Sequence, residues 1–198
     1  MKKYEILEQL SKTNLGTLRL KDAVTAGVSK DYALEYLKAH QYEQISRGIY
    51  LAPDAWEDGF YSLQSQYPRC IFSHESALYL LDMSDREPLK YTVTVNQGYN
   101  PSRLKSAGIH VYTVYEKWYD MGLSEVMTPF GHSVLTYNCE RTLCDVFRGN
   151  SQVEIQDRLC ALHAYVRNNH KNLNLLFKYA RELKVEKQLR TYMEVLLK

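Results

Sequence analysis

Two short helical patterns separated by a glycine constrain the first 50 residues more tightly than any other feature of the chain. Leu20, Ala23 and Val24 mark a short helix, and Gly27 ends it where a left-handed backbone costs least. Ser29 follows as an N-cap, a residue type whose hydroxyl can accept a bond from a free amide of the first turn. The next helix is expected over about Lys30 to His40, burying Ala33, Leu34 and Leu37. Before this pair, Ile6, Leu7 and Leu10 take helical spacing, Asn14-Leu15-Gly16 stops the helix, and Thr17-Leu18-Arg19 is a short extended stretch. After it, Tyr42 to Leu51 divides into two short strands around an Arg47-Gly48 turn, and Pro53 closes the segment.

Helix, helix, tight turn, helix and hairpin in this order is the layout of a winged helix-turn-helix. A helix of this length fits the major groove with its first turn toward the DNA, while the hairpin tip meets backbone or minor groove. The expected DNA-facing residues are Thr17, Arg19, Ser29, Lys30, Tyr32, Tyr36, Lys38, Ser46 and Arg47. Asp31 and Glu35 lie near the same face and oppose phosphate binding. Three-helix units with a hairpin also serve as protein-docking modules, and the pattern alone leaves both uses open.

The pattern changes after Asp54. Residues 54–67 are expected to be helical up to Pro68, and Ser73 to cap a helix through Ala77, Leu78, Leu80 and Leu81. Tyr91–Val95 and Ile109–Tyr115 are β-branched and aromatic, hence strands, and 123–128 with 132–137 form two more around Pro129-Phe130-Gly131. Asn138 is placed to cap a helix through Phe147. Ser151-Gln152-Val153-Glu154 has the form of a capping box ahead of helices at about 152–168, 173–183 and 185–197. The expected fold class is α+β: a winged helix over 1–52, then a domain over 53–198 with an α+β part to 150 and a helical part from 151.

Charge is segregated along a nearly neutral chain. Residues 1–52 carry a net +2, residues 53–150 a net −4 and residues 151–198 a net +4. Lys178, Arg181, Lys184, Lys187 and Arg190 recur every three residues and make either a solvated face or a surface for a polyanion or partner. Seventeen tyrosines against five phenylalanines suit half-wet surfaces, or reflect compositional drift. No apolar run approaches the roughly 18 residues of a membrane span, so no membrane partner is expected. The N-terminus lacks the pattern of a secretory signal, which points to the cytoplasm.

Motifs for catalysis are sparse. Ser73-His74-Glu75-Ser76 suggests nucleophilic chemistry, but neighbours on a helix point roughly 100° apart and are expected not to converge. Cys70, Cys139, Cys144 and Cys160 form no C-x-x-C pair and are expected to be small buried hydrophobes. Spacing gives Cys139 or Cys144 no partnership with His132, and none to His163 with His170 as metal ligands. Asp82 and Asp85 have the setting of solvated loop charge. No glycine loop for phosphate occurs, and neither a metal nor a cofactor is expected.

The run Asp22 to Ser29, together with Ile45-Ser46-Arg47-Gly48-Ile49-Tyr50, resembles the N-terminal winged helix of the AbiEi antitoxins of abortive-infection, type IV toxin–antitoxin systems. Phe72-Ser73-His74-Glu75-Ser76-Ala77-Leu78 resembles the family's S-H-x-S-A helix start, and Glu140-Arg141-Thr142-Leu143-Cys144-Asp145 its E-R-T-L-x-D helix. The order and spacing of these motifs cover most of the chain, with the part after 150 less diagnostic. The resemblance implies a non-enzymatic autorepressor that binds inverted repeats in double-stranded operator DNA. It also implies a C-terminal region that counteracts a nucleotidyltransferase-like toxin without a stable complex. The alternative is a nucleic-acid-processing enzyme targeted by its N-terminal winged helix.

Overall fold

The computed structural model describes residues 2–196, which form an α+β structure of eleven helices and two sheets. None of the described helices is long and apolar enough to cross a membrane. The chain divides into two compact units, one of residues 1–68 and 127–134, the other of 69–126 and 135–198. The expected break at 52/53 therefore falls inside the first unit. The helix after it packs on the hairpin strands and belongs to the same unit.

The first unit contains α1 (Lys3–Thr13), β1 (Thr17–Arg19), α2 (Leu20–Thr25), α3 (Lys30–Ala39), β2 (Glu43–Ser46), β3 (Ile49–Leu51) and α4 (Gly59–Gln66). Its sheet has the order β1-β3-β2, antiparallel throughout, with Thr17 opposite Leu51 and Ser46 opposite Ile49. Gly27 has φ +85° in the turn between α2 and α3, and Val28 N–H donates to the Ala23 carbonyl at 2.9 Å. Leu7, Leu18, Ala23, Val28, Ala33 and Leu37 fill the core that the α2–α3 corner makes possible. Each large apolar side chain buried there contributes about 1.5–3 kcal/mol. Ser29 takes the extended cap conformation, but its hydroxyl makes no cap bond.

A buried polar cluster ties 127–134 into this unit. The Asp58 carboxylate caps α4 by accepting from Tyr61 N–H at 3.1 Å. It also accepts from the Thr128 hydroxyl and lies 2.8 Å from His132 Nδ1. His132 Nε2 lies 3.1 Å from the Asn14 carbonyl, and the ring stacks on Tyr61 at 4.1 Å.

The second unit contains β4 (Ile71–Phe72), α5 (His74–Leu80), β5 (Thr92–Asn96), α6 (Ser102–Ser106), β6 (His110–Val114), α7 (Glu116–Tyr119), most of β7 (Leu123–Met127) and of β8 (Ser133–Tyr137), whose residues 127 and 133–134 count with the first unit, and α8 (Cys139–Val146), α9 (Ile155–Arg167), α10 (Leu173–Glu182) and α11 (Glu186–Leu196). Its sheet has the order β6-β5-β4-β8-β7, with β5–β6 and β4–β8 parallel and β4–β5 antiparallel. Asn138 caps α8 as expected, accepting from Arg141 N–H at 2.9 Å. The expected capping box at 151–154 does not form. Helix α9 starts at Ile155, and Arg158 instead bonds the Val153 and Ser151 carbonyls at 2.7 and 3.1 Å. Residue 197, the end of the last expected helix, lies outside the described residues.

The polar residues of the 140–145 motif are all used internally. Arg141 is fully buried; its Nε donates to Asp145 at 2.9 Å, and its Nη1 to the carbonyls of Trp118 and Met121 at 2.6 and 2.9 Å. Glu140 accepts from the Tyr165 hydroxyl at 3.0 Å and from Asn172 N–H at 3.1 Å. Gly122 is required beside them, because a Cβ there would sit 2.6 Å from Arg141 Cβ.

Ser73 and His74 correct the sequence expectation. Ser73 precedes α5 without capping it, and His74 has φ +49°. This left-handed residue brings the neighbours together, with His74 Nδ1 3.1 Å from Ser73 Oγ, to which the Thr94 hydroxyl donates at 2.9 Å. His74 is buried and stacks on Tyr112 at 3.6 Å. Burial, with His110 adding to it, holds the His74 imidazole well below its usual range. The neutral ring is therefore the form that folds. Unfolded histidine binds a proton near pH 6.5, so this contribution to stability is complete above about pH 6.5 and is lost as pH falls below it. The stability of the chain in urea is expected to fall by up to about 1.4 kcal/mol per pH unit below that point from this residue. In His74→Asn, which tolerates a left-handed backbone, that slope between pH 6.5 and 5 is expected to be shallower.

Candidate nucleic-acid interface

The tight turn at Gly27 sets which side of α3 faces inward. Ala33, Tyr36 and Leu37 are buried, and Ser29, Lys30, Asp31, Tyr32, Glu35 and Lys38 are exposed. Tyr32 lies at the start of the helix with Lys3 of α1 over its ring, 5.5 Å from the centroid. The β2–β3 turn places Arg47 at an exposed tip, followed by Gly48 at φ +75°. Ser46, before it, is half-buried, and its carbonyl accepts from Gln44 Nε2 at 3.1 Å.

Three of the expected contacts are corrected. Thr17 is buried in β1, opposite Leu51, and has no surface to offer. Tyr36 is 8% exposed, stacked on His40 at 4.1 Å and edge-on to Tyr4 at 5.5 Å. Burial, with Tyr42 and Tyr4 nearby, pushes its phenol up to about 12. Position 36 follows Ala33 by three residues, so a core-facing side chain is what helical geometry requires. Arg19 is half-buried and engaged internally, with Nε 2.6 Å from Asp22, Nη1 3.4 Å from Ser65 and its guanidinium over Tyr61.

Lys3 is absent from the expected set, and the structure adds it beside Tyr32. Its signal was the Lys2-Lys3 pair at the start of an amphipathic helix.

In the second unit, Lys178 and Arg181 lie on α10, Lys184 in a left-handed turn at φ +59°, and Lys187 and Arg190 on α11. All five are exposed. Glu186 lies 2.8 Å from Arg190 and 3.7 Å from Arg181, and Arg190 covers Phe177. The five residues thus turn a helix corner, with a carboxylate set among them. Among the cysteines, Cys160 is exposed rather than buried, while burial raises the thiols of Cys70, Cys139 and Cys144.

No family model matches the chain, and no curated protein matches it. Among solved structures it is similar to the RV2827C protein from Mycobacterium tuberculosis, at 16% identity and a TM-score of 0.58. The match covers 97% of this chain and 79% of that one. At this identity the likeness concerns the fold alone.

Burial sorts the expected contacts by what their removal does to folding. Lys30→Ala, Lys38→Ala and Arg47→Ala are each expected to change unfolding free energy by no more than about 0.5 kcal/mol. Tyr36→Ala is expected to cost about 3–5 kcal/mol, in the range for deleting a buried aromatic side chain. Urea denaturation of the four variants checks this; a Tyr36→Ala chain as stable as its parent contradicts the core placement.

Proposed function

We propose that the chain is a DNA-binding autorepressor and antitoxin, whose first unit is a winged helix-turn-helix that reads inverted repeats in its own operator. The observation that carries this reading is the exposure of Lys30, Tyr32 and Lys38 on α3 in the same unit as Arg47 at the hairpin tip. In support, the turn at Gly27 joins α2 to α3 and the β2–β3 hairpin follows in the β1-β3-β2 sheet; in this reading α3 is the recognition helix and the hairpin the wing. Lys30, Lys38 and Arg47 are the phosphate contacts, and Tyr32 is placed to meet base edges or sugar. Asp31, in the first turn of α3, and Glu35, one turn later, repel phosphate where they face it and weigh against this reading on that part of the helix.

The second unit, in this reading, counteracts a nucleotidyltransferase-like toxin in the cytoplasm without forming a stable complex with it. Support for this part comes from the S-H-x-S-A and E-R-T-L-x-D resemblances, and the structural roles of Glu140, Arg141 and Asp145 are compatible with a frame for a binding surface.

A gel shift of the full chain on duplex DNA from upstream of its own gene tests the reading. The parent is expected to shift this duplex in preference to a scrambled one. Arg47→Ala is expected to weaken binding on both and to reduce the slope of log affinity against log salt by about one. Equal affinity for both duplexes, or an unchanged slope in Arg47→Ala, contradicts it.

A further inference from the structure

A cavity of about 310 Å³ in the second unit opens among α5, the loop before β5, the first residues of β5 and β6, and the approach to α9. Its size is at the lower end of the range for small-molecule sites. Its charge is unbalanced: the carboxylates of Glu75, Glu87, Glu154 and Asp157 line it against the cations of Arg86 and Lys90. One carboxylate is held in place. Glu75 stands in the first turn of α5 and accepts from the hydroxyl of buried Thr92 at 3.1 Å.

A second wall is aromatic and equally fixed. His110 lines the cavity and packs on Tyr112 with ring centroids 4.7 Å apart; Tyr112 in turn stacks on buried His74 at 3.6 Å. The Tyr112 hydroxyl accepts from Gln152 N–H at 3.0 Å, which locks the middle ring of this stack. Leu78, Pro88 and Leu89 supply apolar surface. Arg86, a cation at the rim, is loosely held, 4.0 Å from Asp157 and largely exposed. An ion pair of that kind is worth little and is readily exchanged.

We propose that this cavity binds a guanidinium group, stacked on His110 and hydrogen-bonded to Glu75. Carboxylate excess selects a cation, and a flat aromatic wall beside an oriented carboxylate selects a planar, multi-donor cation over an ammonium point charge. The same chemistry is offered by free L-arginine and by an arginine side chain of a peptide. The free amino acid also carries an α-carboxylate, for which Lys90 is the available cation. This inference is independent of the DNA-binding reading.

Isothermal titration calorimetry on the full chain tests it, with L-arginine, N-acetyl-arginine amide, butylammonium and adenosine monophosphate as probes. One or both arginine probes are expected to bind saturably, and butylammonium at least about tenfold more weakly. Glu75→Gln and His110→Ala are each expected to weaken that binding by about tenfold or more. His110→Ala leaves the hydrogen bond from the Thr92 hydroxyl to Glu75 in place, so it stands as an independent check should Glu75→Gln fold poorly. Tighter binding of L-arginine, weakened by Lys90→Ala, assigns the site to the free amino acid. Equal or tighter binding of the blocked amide, indifferent to Lys90→Ala, assigns it to a peptide side chain. No saturable arginine binding, butylammonium binding as tightly, tighter binding of adenosine monophosphate, or affinities unchanged in both site variants overturns the proposal.

Discussion

A buried guanidinium organises the second unit. Arg141 sits at the start of α8 with no surface exposed, and its donors reach one carboxylate and two backbone carbonyls. Its aliphatic stem covers Gly122, and its charged end lies over the Tyr137 ring at 4.4 Å. Burying such a charge costs several kcal/mol, and removing either partner strands the other. Burial raises the Asp145 carboxyl while Arg141 pulls it back down. The cost is offset because the fork fixes the 118–122 loop against α8. One residue earlier, Glu140 fixes the turn between α9 and α10. A six-residue stretch thereby positions loops from both sides of its helix.

Local signals in the sequence were sufficient for much of this. The Gly27 turn, the Arg47-Gly48 hairpin, the Asn138 cap and the strands at 92–96 and 110–114 each depend on a residue type at a fixed offset. The features that were hidden depend on distance along the chain. Strand β4 is two residues long, too short for any alternation, and exists because β5 and β8 pair with it. Asp58 and His132 are separated by 74 positions, so neither announces the other. The Ser151 capping box does not form because the Ser151 amide donates to the Arg148 carbonyl at 3.0 Å and its hydroxyl accepts from Val153 N–H at 3.3 Å. Ser73 and His74 met because one residue is left-handed, which no helical wheel anticipates.

The candidate interface shows the same division. Lys30, Tyr32, Lys38 and Arg47 were legible as exposed cations and an aromatic on a short helix and a turn. Thr17, Tyr36 and Arg19 were misplaced because their environment comes from β3, from Tyr4 and Tyr42, and from Asp22 with Ser65. Without them the candidate set is the start of α3, Lys38 on the same helix and the hairpin tip. The cavity proposed to take a guanidinium was invisible in the sequence, since its walls come from four separated stretches of chain.

The central claim is that the α3 start and the hairpin tip contact DNA. Nuclear magnetic resonance of the isotopically labelled full chain, titrated with duplex DNA from upstream of its gene, tests this directly. The account predicts that amide shifts concentrate at residues 29–32, at Lys38 and at 46–48, and that they shrink as salt is raised. Shifts confined to the Lys178–Arg190 corner, or no shift at 29–32 and 46–48 at low salt, contradict it.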